Sequence, residues 1–264
     1  LQKIQQINNP SLLRVEHFRK NHSGGLVGLI NVGKGGTLRE FYDYIVGKNL
    51  AGALPEDTII GVVGMLLEQV EILHKNNIYN LNISCETIIF LEDGSLKLAD
   101  FSQAVEGSNP STLTCPSVVI SLGNKEVKIS NPLQYDRISC CLLGLALALG
   151  EPFSIMPRIS LDVYLRYLGD KYNSLQAIVV EMAFLDEISP LCEKYKNDAM
   201  KYISQHQNPF TILMNTVIYD NIKDKDPSQV DQLFRVFIAD PQNDEYRPRD
   251  YPYGWLVVKD AQVR

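Results

Sequence analysis

Apolar residues recur at helical spacing from position 55 to position 74. Ile59, Val62, Val63, Leu66, Leu67, Val70 and Leu73 fall on one side of a helix that Pro55-Glu56-Asp57-Thr58 opens. Two short apolar runs follow, 88–91 and 95–98. Glu92-Asp93-Gly94 between them is a turn signal, so the pair predicts a β-hairpin. Residues 138–149 are apolar nearly all round, which predicts a helix buried on every side. Nearer the start, residues 1–7 read as the end of a helix stopped by Asn8-Asn9-Pro10. Residues 12–18 alternate as a strand does, and the turn-like cluster 21–25 leads them as a hairpin into 26–32. Glycines at 33–36 break the chain, and Thr37 is placed to cap a short helix over 38–45. Residues 107–123 read as polar and irregular. From Leu161 onward the pattern is helical, over 161–168, 175–184, 192–203, 210–219 and 230–239, with Tyr164, Tyr167 and Tyr172 as packing residues or as part of a docking face. A few strands followed by a helical remainder predict an α+β fold that is mainly helical.

Composition narrows the class. The chain has 264 residues, 45% hydrophobic and 21% charged, which suits a soluble globular protein with a sizeable core. A net charge of −6 argues against a nucleic-acid footprint, which needs a basic face. The five cysteines lack paired metal spacing and are odd in number, so they read as free thiols in a reducing, cytoplasmic or otherwise intracellular compartment. The most apolar run, 140–149, is too short to span a bilayer, and no secretory signal pattern opens the chain. The sequence begins on Leu1 rather than Met, as a fragment would.

The candidate chemistry lies in 73–104, LHKNNIYNLNISCETIIFLEDGSLKLADFSQA. This segment resembles the catalytic and metal-binding loops in the C-terminal lobe of a protein kinase. The family's Leu-His is followed by His-Arg-Asp-Leu-Lys-Pro-Glu-Asn and an apolar strand. Asn80 stands for that second His, Leu81 for Arg and Asn82 for the catalytic Asp. Ser84 stands for Lys, Glu86 is kept, and Thr87 stands for the metal-binding Asn. LKLADFS resembles the Asp-Phe-Gly motif, with Asp100 and Phe101 kept and Ser102 in place of Gly. The spacings from Asn82 to Thr87 and from Asn82 to Asp100 both agree with the family.

The resemblance extends over most of the chain. NPSLLRVEHF is similar to a small-lobe stretch and LINVGKGGTLREF to the hinge, with Ile30 as gatekeeper and Asn31 and Val32 in the hinge itself. YDRISCCLLGLALALGEPF resembles the buried helix of the large lobe, and LFRVFIADPQNDEYRPRDYPYGWL resembles the family's ending. The division implied is a small-lobe and hinge remnant over 1–32 and a helical large lobe over 33–264. Ser139 is assigned the place of the Asp that anchors the catalytic loop. Cys115-Pro116-Ser117 resembles Ala-Pro-Glu without its Glu, which leaves Arg247, the counterpart of the Arg that pairs with it, to find Asp244, Glu245 or solvent. The family's Gly-rich loop and Ala-x-Lys strand are not in this chain, and Gly33-Lys34-Gly35-Gly36 lacks the spacing of a phosphate loop.

The substitutions change the chemistry the resemblance implies. Phosphoryl transfer needs positioning, metal-borne charge neutralisation and a group for the substrate's proton. Asn82 is an amide that orients a hydroxyl but takes no proton at neutral pH. Thr87 is shorter than Asn and offers a hydroxyl where the family offers an amide oxygen. Asp100 retains a carboxylate able to hold a hard cation. The resemblance therefore implies a pseudokinase, a kinase-shaped scaffold or regulatory module whose partners are other proteins. ATP with magnesium would be bound weakly or not at all, with Asn31, Val32 and Ile89 at the nucleotide and Asp100 and Thr87 at the metal. The alternatives are an atypical active Ser/Thr kinase using Asn82 and Ser84, or a nucleotide-binding switch without transfer.

Overall fold

The computed structural model describes residues 2–7, 9–13, 17–20, 26–30, 36–39, 56–90, 96–150, 157–184, 194, 197 and 254–256. These form an α+β structure in which small sheets surround packed helices. Helix α1 is Gln2–Gln6. Helix α2, Glu56–Lys75, realises the expected stripe, with Ile59, Val62, Leu66, Leu67, Val70 and Leu73 fully buried. Helix α3, Pro132–Leu149, packs against α2 and has both ends marked by sequence. The Asn131 side chain accepts from the Leu133 amide, Pro132 takes the first turn, and Gly150 closes the helix in the left-handed region at φ 70°. Its all-round burial follows from its neighbours: α2, helix α4 (Leu161–Leu168) and helix α5 (Asn173–Phe184) all pack on it.

At Gly144 that packing leaves no room for a side chain. A Cβ there would lie 2.6 Å from Val63 Cγ2 on α2 and 3.1 Å from Leu175 Cδ1 on α5. Val63 is β-branched and held to one rotamer in a helix, so it cannot swing aside cheaply. Glu56 adds a polar tie between the same helices, its carboxylate accepting from the Leu175 amide at 2.9 Å.

The sheets are short. Strands β1 (His17–Lys20) and β2 (Leu26–Ile30) form an antiparallel pair as expected, but Leu12 and Leu13, expected to open the first strand, lie outside it; β11 (Gly254–Leu256) adds to β2. Strand β3 (Gly36–Thr37) pairs with β5 (Ile88–Phe90), which pairs with β6 (Leu96–Leu98) as the hairpin signal requires. Gln69 of α2 fastens this hairpin to the core: its amide donates to the Leu96 carbonyl at 2.8 Å and accepts from the Leu98 amide at 2.9 Å. Strand β4 (Ile78–Tyr79) pairs with β7 (Val105–Glu106).

Several expectations require correction. Residues 107–123 are not irregular throughout. Strands β8 (Val118–Leu122) and β9 (Lys125–Ile129) make a tight hairpin, and β10 (Arg158–Ser160) joins β8 in parallel. Gly123 begins the two-residue turn at φ 56°, and its amide donates to the Asp162 carboxylate on α4. Helix α3 begins before position 138, at Pro132. Tyr172 is buried as expected, whereas Tyr167 is 79% exposed, outside the core. Thr37 belongs to β3, with Leu38 and Arg39 helical after it. The helices expected over 192–203, 210–219 and 230–239, and Asp244, Glu245 and Arg247, lie outside the described residues, apart from helical positions 194 and 197. Among the described residues, no helix is long and apolar enough to cross a membrane.

The Gly144 contact gives a direct test. Gly144→Val should destabilise the fold by about 1–3 kcal/mol through overpacking against Val63, read as a lower urea midpoint with an unchanged slope.

Candidate functional site

Two loops meet at the site. The first, 80–87, runs from β4 to β5; the second, 99–104, runs from β6 to β7. The β4–β7 and β5–β6 ladders hold the ends of both loops together, and the Ala99 amide donates to the Thr87 carbonyl at 2.8 Å. Strand pairing thus brings positions far apart in the chain side by side.

Asp136 of α3 shapes the first loop. It is fully buried, and its two carboxylate oxygens accept from the Asn80 amide at 2.8 Å and the Leu81 amide at 2.7 Å. His74 at the end of α2 completes the set, with Nε2 at 3.0 Å from Asp136 Oδ2. A carboxylate only accepts, so Nε2 carries the hydrogen, and Nδ1 is buried without a partner. Leu81 sits at φ 58°, a left-handed conformation that disfavours a side chain of its kind. The charged acceptor at its amide offsets that strain. Ser139, the expected anchor, does something else: its hydroxyl donates to the Tyr135 carbonyl one turn back on α3. The anchor is Asp136, one helical turn earlier. Next to it, Arg137 pairs with Glu71 of α2 in a second buried interhelical contact.

With the backbone so fixed, the side chains interlock. Asn80 is fully buried; its amide nitrogen donates to the Asp100 carbonyl at 2.9 Å and its oxygen accepts from the Asn82 amide at 2.9 Å. Asn82 Nδ2 donates to Asp100 Oδ2 at 2.9 Å, joining the two loops directly. Asp100 Oδ1 accepts from the Ser102 amide at 2.7 Å, a local turn. Thr87 Oγ1 donates to the Asn82 carbonyl at 2.7 Å and accepts from the Ser84 amide at 2.9 Å, so it buttresses the loop from within. Glu86 faces outward and pairs with Arg39 at 3.1 Å.

The structure therefore brings Asn82, Ser84, Thr87 and Asp100 into one cluster. Ile89 is buried in β5, opposite Lys97. Asn31 and Val32 lie outside the described residues. Sequence reasoning missed Asp136 and Asn80 as working parts. The signal for Asp136 was present, since an acid in a helix otherwise buried all round needs partners.

Asp100 and Thr87 do not fit magnesium as they stand. That ion wants near-octahedral oxygen ligands close at hand. Each Asp100 oxygen already accepts a protein N–H, and the neighbour at Oδ2 is a hydrogen-bond donor. Thr87 Oγ1 is committed to the loop backbone. Among the described residues, no group of three or more His, Cys, Asp or Glu side chains could hold a metal ion. No protein-family model matches the chain.

The charge of Asp136 reaches its surroundings. Burial, and then Asp136, pushes the half-buried Cys115 thiol from 9.0 up to about 12. Burial, then the charges of Cys115 and Asp136, raises Tyr135; burial and Asp136 raise Tyr79. Cys115 is thus a neutral, sluggish thiol across ordinary pH.

Two outcomes follow. Asp136→Ala leaves two buried N–H groups without their acceptor and should cost about 1–3 kcal/mol for each. Urea unfolding reads the total, and faster hydrogen exchange at Asn80 and Leu81 locates it. Alkylation of Cys115, followed by peptide mass spectrometry at pH 9, should lag that of the unfolded chain by about ten-fold or more. Raising the pH from 9.0 towards about 12 should also lower stability, because the unfolded chain releases this proton first while the folded chain retains it.

Proposed function

We propose that this chain is a degenerate protein-kinase-like domain, a pseudokinase that works by binding other proteins rather than by transferring phosphate. One observation carries the reading. The loop with the family's catalytic spacing and the loop with its Asp-Phe motif meet at the Asn82–Asp100 hydrogen bond. Asp136, on the helix that resembles the family's buried one, holds the first loop by two backbone amides. The frame of the resemblance is thus kept while its chemistry is altered. At the position of the base stands an amide with no affinity for a proton at neutral pH. Loss of a general base alone costs about 10²–10⁴ in rate. Asn82 also donates to the very acid that would carry the metal. Such an arrangement suits a catalytically silent binding surface. Five cysteines without paired metal spacing suit a reducing, intracellular setting.

A sensitive phosphotransfer assay on the full-length protein, with ATP and magnesium and with Asp100→Asn as control, tests the reading. The expected result is no turnover that distinguishes the two proteins. Robust transfer abolished by Asp100→Asn would establish an active kinase instead. Thermal shift with millimolar ATP separates a nucleotide-binding switch from a scaffold, since a native-state ligand must raise the midpoint by mass action.

A further inference from the structure

We infer that the Asn82 carboxamide is a built-in stand-in for a cation: its N–H occupies the outer side of the Asp100 carboxylate from within the loop and disfavours divalent metal there. The inference concerns the same cluster as the proposed function, but it stands on the geometry of the two loops whether or not the chain is kinase-like.

Asn82 is held at three points. Its backbone amide donates to Asn80 Oδ1, its carbonyl accepts from Thr87 Oγ1, and its side chain donates to Asp100 Oδ2 at 2.9 Å. Only the nitrogen of the carboxamide can face a carboxylate, so the orientation follows from the pairing. The N–H presents partial positive charge to Oδ2, the role a bound cation would play. An approaching metal ion would meet that N–H from the wrong side and would have to displace it. Asn82 and Asp100 are both only part-buried, so solvent ions have access, and the exclusion is chemical rather than steric.

A carboxylate has nearly the shape of a carboxamide. Put at position 82, it would set two acidic groups about 3 Å apart, a separation at which both ionise only with a counter-charge between them. A hard divalent cation relieves that repulsion, and magnesium or manganese needs no more than one or two carboxylates with water completing the shell. Asn82→Asp should therefore create a metal site with no other change to the loops.

The test uses the full chain, without nucleotide, at pH 7.5 in EDTA or in millimolar Mg²⁺, Mn²⁺ or Ca²⁺. Melting is followed for the wild type, Asn82→Asp, Asp100→Asn and the double exchange Asn82→Asp with Asp100→Asn. The wild type should melt at the same temperature with and without metal. Asn82→Asp should melt lower in EDTA and rise by about 3 °C or more when metal is added. The double exchange restores one amide and one carboxylate with the sides swapped, so it should melt above Asn82→Asp in EDTA and ignore metal. If Asn82→Asp does not fold in EDTA, folding of the double exchange without metal supports the inference, and failure of both overturns it. A metal-dependent rise in the wild type that Asp100→Asn removes would also overturn it, as would an Asn82→Asp protein indifferent to metal. Because nucleotide is absent throughout, these outcomes are independent of the phosphotransfer result.

Discussion

A single buried carboxylate sets the geometry of everything around the cleft. Asp136 is buried on a helix whose surroundings are mostly apolar apart from the Arg137–Glu71 pair beside it, which is tolerable only because three donors converge on it. Those donors come from the end of α2 and from the start of the loop at 80–87. Helix packing and loop conformation are thereby one problem. The left-handed turn at Leu81 has no local cause in the sequence; it exists because a distant acid rewards it. Asn80 then faces Asp100, and Asn82 follows. Burial first, with the same charge adding to it, favours the neutral forms of Tyr79, Tyr135 and Cys115.

The side chains at the two loops are tied to one another. Reactive groups are generally left with an unmet hydrogen-bonding or charge requirement that substrate or metal fulfils. Here the requirements are met internally. Asn82, Asp100, Thr87 and Asn80 answer one another, and the result is stability of form.

Much of this was legible in the sequence, for identifiable reasons. Helix α2 announced itself because periodicity at 3.6 residues is strong over twenty positions, and Glu92-Asp93-Gly94 marked the β5–β6 hairpin by turn chemistry. The meeting of Asn82 with Asp100 was implied by the resemblance of their two loops, in spacing and apolar frame, to those of the kinase family. The anchor was misplaced by one turn because Ser139 and Asp136 share a helix face, and only tertiary contact distinguishes them. The β8–β9 hairpin escaped because β9 alternates Lys and Glu with Val and Ile, so its polarity resembles a loop. Gly123-Asn124 was the overlooked cue. Tyr167 misled because residue type alone does not say which side of α4 faces the core.

That same polar alternation has a use. In its sheet β9 lies at the margin, beyond β8, where unpaired backbone groups could template the strand of another molecule. Lys125, Glu126 and Lys128 stand exposed along it. Charged side chains along an edge strand make it a poorer template for the strand of another molecule, so the composition that disguised β9 also blunts its edge.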